Sequence, residues 1–229
     1  MGETDGVAAA WDAEYGAGRY RGEPPVAFTE DILAAARASG LSRGLYVGCG
    51  NGRNYLPLVA GGLNLTGLDI SATAIAQLAV RAPGRRPGLV RGDLRALPPA
   101  ATYPLVIGIQ VFQHGDRARA HAHIRAAQAR VADGGLFCLR VNATGTDIWP
   151  EHEVTERHPD RGLTVRYLAG PKRHLLIHFF SAAELEALFG SGFEPVVPLR
   201  PQHTGRTAPE PGRWTQWEAI WRRIGDSNS

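Results

Sequence analysis

Gly48, Gly50 and Gly52 stand at alternate positions in the run GLYVGCGNGRN (residues 44–54), between a short apolar stretch and the start of a helical pattern. Glycines let a backbone approach a ligand closely, and the unpaired N–H groups of a following helix point at it, so such a loop can cradle an anion or a polar ligand. Asp69 ends the next apolar run, seventeen residues past Gly52. A carboxylate there can accept from both hydroxyls of a ribose; equally, it can cap a helix beginning at Ser71. Asp93, in Gly92-Asp93-Leu94, can accept from an exocyclic amine or simply close a turn. The GxGxG spacing differs from the GxGxxG of nicotinamide sites and leaves room for a bulkier mononucleoside-type ligand.

Two histidines are candidates for proton transfer, the usual role of this side chain near neutral pH. His114 ends IQVFQH at the mouth of an apolar strand; it is either a base facing the ligand or a helix-start residue. His178 lies in RHLLIHFF, where alternation sets His174, Leu176 and His178 on one face. It points toward a substrate if that segment caps a cleft, and is otherwise a half-buried strand residue. His152, Glu153, Glu156, His158 and Asp160 look like a metal set but lack a fixed ligand spacing, so this stretch is expected to be a solvated substrate lid with no metal. Arg200, His203 and Arg206 are expected in a charged loop, with the option of binding an acidic group.

The elements that must hold these residues alternate. Helices are expected over 28–39, 55–60, 71–81, 116–132 and 181–189, and strands over 45–47, 63–68, 88–91, 105–109 and 136–141. The run Leu105–Ile109 is apolar throughout, as in a parallel sheet covered on both faces. This rhythm predicts a doubly wound α/β sheet. Segments 163–168 and 173–180 flank Ala169-Gly170-Pro171-Lys172 as an inserted hairpin, and strands near 193–199 and 214–221 close the fold around a loop marked by Pro198, Pro201, Pro209 and Pro211.

The chain has 229 residues, enough for one well-buried core, and a single domain is expected, with a cap over 1–27 and a lid over about 143–180. No apolar run approaches the roughly 18 residues of a membrane span, and the start MGETDGVAAAW lacks a signal-peptide pattern. A cytoplasmic protein, monomeric or homodimeric, is expected. Cys49 and Cys138 supply neither a disulfide framework nor a ligand set. The net charge of +3 comes from scattered arginines rather than a basic stripe, which argues against nucleic acid as a partner. The Arg-, Ala- and Gly-rich composition fits a bacterial origin.

VGCGNGRN followed in order by GLDIS, GDL, VIGIQVFQH and DGGLFCLR resembles the S-adenosylmethionine (SAM) dependent methyltransferases of the Rossmann-like class over roughly residues 40–142. With Trp11 and Tyr15 as an N-terminal Trp-x-x-x-Tyr, the pattern is most similar to the tellurite-resistance and thiopurine-type small-molecule enzymes. The resemblance implies a mostly parallel seven-stranded sheet with an antiparallel last strand, methyl transfer from SAM to a small molecule, and S-adenosylhomocysteine (SAH) as product. It implies that Gly48, Cys49, Gly50, Gly52 and Asn54 line the amino-acid end of SAM, Asp69 the ribose, Ile70 and Leu94 the adenine faces, and Asp93 the adenine amine. Gln110 would lie near the sulfonium. Trp11, Tyr15 and Tyr20 either close over the cofactor or staple the N-terminal helix to the core. The chain carries Tyr46 where the class commonly has an acidic residue, and Pro104 where it has Asp. Three other readings compete: a nucleic-acid methyltransferase, which would carry an Asn/Asp-Pro-Pro-aromatic signature after the fourth strand; a nicotinamide oxidoreductase; and a non-catalytic binding protein on the same fold.

Overall fold

In the computed structural model, residues 3–158, 160–170, 172–207 and 211–225 are described. Strands β1 (Arg43–Val47), β2 (Asn64–Asp69), β3 (Leu89–Arg91), β4 (Tyr103–Ile109) and β5 (Val131–Asn142) alternate with helices α2 (Phe28–Ala38), α3 (Tyr55–Ala60), α4 (Ala72–Arg81) and α5 (Arg117–Gln128), behind an N-terminal helix α1 (Glu3–Gly16). Three further strands, β6 (His152–His158), β7 (Gly162–Tyr167) and β8 (Leu176–Phe179), precede α6 (Ala182–Phe189), β9 (Phe193–Arg206) and β10 (Gly212–Arg223). The main sheet has seven strands in the order β3-β2-β1-β4-β5-β10-β9, and β6-β7-β8 form a second sheet. The doubly wound, mostly parallel sheet anticipated from the sequence is thus observed.

Two compact units divide the chain, one running through Gly108 and including Arg130–Leu136, the other holding Ile109–Ala129 and everything from Phe137 onward. In the first, β1 pairs in parallel with β2 (Leu45↔Thr66) and with β4 (Leu45↔Val106), and Leu45, Tyr46 and Val47 are buried. A strand covered on both sides needs apolar residues at successive positions, which these supply. Phe28, Ile32 and Ala36 form the buried stripe of α2, at the helical spacing expected of a core-facing side. Ser71 caps α4 by accepting from the Ala74 N–H at 3.0 Å, so its hydroxyl satisfies one of the orphan donors of the first turn.

In the second unit, β6-β7-β8 are antiparallel, and Val165, Tyr167, Ile177 and Phe179 form a core against which Ile148 and Leu163 pack. Phe189 of α6 stacks on Trp221 of β10 at 3.8 Å between centroids.

Four expectations are corrected. The segment 152–158, read as a solvated loop, is strand β6; its side chains are mostly exposed on both faces, so no apolar alternation betrays it. His174 lies in a turn with φ 72° rather than in β8, and so does not share a strand face with His178. Helix α5 stops at Gln128, and Gly134-Gly135 lie inside β5 instead of ending the helix. Pro198 and Pro201 lie within β9, not in a loop; β9 is the sheet edge, where a residue without an N–H costs no ladder bond on the open side. Pro209 falls outside the described residues.

Gly44 sets a steric limit on the β1–β4 pair, because a Cβ there would lie 2.5 Å from the Leu105 carbonyl oxygen and 2.9 Å from Leu105 Cβ. Gly44→Ala is expected to destabilise the protein by about 1–3 kcal/mol through overpacking. An unchanged urea midpoint would show that the strands separate at no cost.

Candidate functional site

The glycine loop of the first unit is held from below and covered from above. The Gly48 and Cys49 N–H groups both donate to the Leu68 carbonyl, at 2.7 and 3.0 Å, which fastens the loop to the end of β2. Gly48, Gly50 and Gly52 have φ of 70°, 54° and 99°, the left-handed region in which a side chain is strained. A Cβ on Gly50 would lie 2.5 Å from the Tyr15 hydroxyl, and one on Gly52 2.7 Å from Leu78 Cδ1. Tyr15 of α1 thus lies directly on Gly50.

Asp69 is buried, with Oδ2 accepting from the Gly50 N–H at 2.8 Å and Oδ1 from the Ser71 N–H at 2.9 Å. Burial pushes its carboxyl above the usual range, against the pull of those two N–H bonds. It therefore joins the glycine loop to the start of α4, while each carboxylate oxygen has a second lone pair for a ligand hydroxyl. The helix cap is Ser71, not Asp69.

Asp12 of α1 is a polar residue that sequence reasoning missed. Its Oδ1 accepts from the Ser71 hydroxyl at 2.5 Å and the Thr73 N–H at 2.9 Å. Negative charge at a helix N-terminus is favourable, but nothing in local spacing pairs residues 59 and 61 positions apart.

The remaining predicted cofactor residues divide. Ile70 is half-buried and Leu94 buried, and Cys49 is buried with its thiol pushed up by that burial. Asn54 accepts from the Val26 N–H at 3.0 Å and so orders the segment before α2. Asp93 closes a turn, accepting from the Arg95 N–H at 2.9 Å and from the Arg95 guanidinium at 2.6 Å. An adenine amine would have to share that carboxylate. Tyr46, where a carboxylate is common in the resembling class, is buried edge-on to Tyr55 with centroids 6.1 Å apart.

In the second unit, Gln110 follows β4 with φ 59°, an uncommon conformation for a side-chain-bearing residue. Its N–H donates to the Arg140 carbonyl at 2.8 Å, and its Oε1 accepts from Gln113 Nε2 at 2.9 Å. Gln110 Nε2 and Gln113 Oε1 are buried with no partner among the described residues.

The two candidate bases lie in different surroundings. His114 is pushed down to about 3, mainly by burial and then by the Lys172 charge, so its imidazole is neutral and a very weak base at pH 7. His178 is fully buried, its Nε2 at 2.9 Å from Glu184 Oε2 and its Nδ1 at 3.0 Å from the Thr164 hydroxyl. Glu184 Oε1 also meets His121 Nε2 at 2.5 Å and accepts from Arg117 Nε at 2.7 Å. The ligand atoms of His121, His178 and Glu184 lie within 4.8 Å of one another, a grouping able to hold a cation. Arg117 and the two rings already supply the partners of that carboxylate, which makes it a structural hub.

Burial works to raise the Glu184 carboxyl, but the hydrogen bonds from His121 and His178 overcome it and bring it to about 2. A carboxyl depressed on folding stabilises above its unfolded value, near 4.5, and that stabilisation is lost as pH falls from there toward 2. Glu184→Gln is expected to lose less melting temperature than the parent between pH 5 and pH 3. Equal slopes would show that the hub does not titrate in that window.

Among the described residues, no helix is long and apolar enough to cross a membrane. No curated protein matches the chain in sequence. Solved structures do match in fold. A magnesium protoporphyrin IX methyltransferase from Synechocystis PCC 6803, with bound SAM, superposes at TM-score 0.65 with 17% identity over 97% of this chain and 98% of that one. A 1,6-didemethyltoxoflavin-N1-methyltransferase from Burkholderia thailandensis, with SAH bound, gives 0.63 with 19% identity over 98% and 92%. An amino pentose methyltransferase from Micromonospora echinaspora, with SAM bound, gives 0.58 with 20% identity over 93% and 97%. Residues 45–135, which carry the glycine loop, Asp69, Asp93 and Gln110, match the methyltransferase domain family.

Proposed function

We propose that this chain is an enzyme transferring the methyl group of SAM to a small-molecule acceptor by in-line displacement, with SAH as product. The observation that carries the reading is the left-handed glycine loop after β1, bonded through Gly50 to the carboxylate at the end of β2, within a segment that matches the methyltransferase domain. SAM supplies an activated methyl on a sulfonium. The chain supplies placement: the Gly48–Gly52 loop takes the amino-acid end, Asp69 the ribose hydroxyls, Ile70 and Leu94 the adenine faces, and Tyr15 the cover. Asp93 reaches the adenine amine as it shares its charge with Arg95.

A displacement at a sulfonium needs alignment and exclusion of water more than proton transfer, and positioning is worth on the order of 7–11 kcal/mol in favourable model reactions. This agrees with a neutral His114 and a His178 engaged at both nitrogens. The two histidines then act as polar wall and as structural support rather than as bases. The similar structures are a magnesium protoporphyrin IX, a 1,6-didemethyltoxoflavin and an amino pentose methyltransferase, and the Trp11/Tyr15 and GCGNGRN patterns resemble tellurite-resistance and thiopurine-type enzymes; all of these support a small acceptor. Action in the cytoplasm of a bacterium, by a single-domain monomer or homodimer, completes the reading.

Calorimetric titration with SAH tests it. Asp69→Asn is expected to weaken SAH binding at least tenfold, about 1.4 kcal/mol, with the melting transition retained. Undiminished affinity would remove the ribose assignment, and stabilisation of the parent protein by NAD but not by SAH would remove the methyltransferase reading.

A further inference from the structure

On the strand β10, alternation sets Trp214, Gln216 and Glu218 on one face. The two flanking residues have partners. Trp214 Nε1 donates to Asn142 Oδ1 at 3.1 Å, and Glu218 accepts from Arg140 Nε at 2.8 Å and from Arg200 Nη2 at 3.2 Å. Gln216 between them is fully buried, yet neither its Nε2 nor its Oε1 has a hydrogen-bond partner among the described residues. A buried carboxamide with both ends unmatched is costly to a protein and calls for a partner from outside the chain.

Its place in the fold says which partner. The Ala143 N–H donates to the Thr215 carbonyl at 3.0 Å, so Gln216 lies beside the carboxyl end of β5. The Gln110 N–H donates to the Arg140 carbonyl on the same strand. Gln216 therefore shares the carboxyl edge of this part of the sheet with the Gln110–Gln113 pair, which contributes an unmatched donor and an unmatched acceptor of its own. Ligands of open α/β sheets bind outside the carboxyl ends of the strands.

We propose that Gln216 binds a small molecule through an uncharged edge that presents a hydrogen-bond donor beside a carbonyl, as a lactam or cyclic imide does. The chemistry of the carboxamide selects this class. A carboxylate would satisfy Nε2 and repel Oε1, and an ammonium would do the reverse. Only a donor and an acceptor side by side fill both ends, the bidentate pairing that a glutamine carboxamide makes with a nucleobase edge.

Calorimetry and thermal denaturation of the full chain test this with Gln216→Leu, using uracil as the imide probe and 1,3-dimethyluracil, whose N–H donors are blocked, as control. The parent protein is expected to bind uracil at least tenfold more tightly than the dimethyl compound, and the variant to lose that preference. The ligand-free variant is expected to melt at or above the parent temperature, since it no longer buries an unmatched amide, and to keep SAH affinity within about twofold. A drop in melting temperature of several degrees would show that the protein itself satisfies the amide, and would overturn the proposal. So would equal binding of the two probes, or no uracil binding at millimolar concentration.

Discussion

The buried bond from the Gly50 N–H to Asp69 is the constraint on which the first unit turns. It joins the end of β2 to a loop whose glycines adopt conformations closed to other residues. Burying a carboxylate is costly unless it is well hydrogen-bonded, and Asp69 meets that condition with Gly50 on one oxygen and Ser71 on the other. One side chain thereby sets the loop conformation, the start of α4 and the anionic face offered to a ligand. The N-terminal helix depends on the same arrangement, since Asp12 binds the Ser71 hydroxyl and Tyr15 lies on Gly50. The N-terminal helix is in this way an extension of the glycine loop's own hydrogen bonding.

Glu184 plays the comparable part in the second unit. It ties α5, through Arg117 and His121, to β8, through His178, while Ser181 caps its helix by accepting from the Glu184 N–H at 3.1 Å. Removing one partner from such a network leaves buried charge uncompensated, which is far worse than never having built it. The three-stranded sheet is therefore anchored by electrostatics as well as by the small apolar core around Val165 and Phe179.

The legible parts of the sequence were those with local causes. The apolar runs of β1 and β4, the helix starts at Ser71 and Ser181, and the span of α3 all depend on residues within a few positions of one another. Strand β6 was not legible because its residues HEVTERH have no apolar face to alternate, and β9 was masked by prolines that only an edge strand tolerates. The carboxylates were visible as candidates, but their partners were not: Asp93 met its neighbour Arg95, while Asp69 met Gly50 across a strand crossing. Asp12 and Glu184 drew no attention at all, because their roles exist only once distant segments are brought together.

The polar groups of the second unit also bear on the kind of chemistry the fold supports. A general base must exchange protons near the operating pH, and burial has taken His114 far below it while hydrogen bonds occupy His178. Unmatched neutral amides at Gln110, Gln113 and Gln216 have the opposite character, for they orient a partner without exchanging protons with it. A displacement at a sulfonium asks for that combination, a nucleophile held in line and kept from water by groups that do not react.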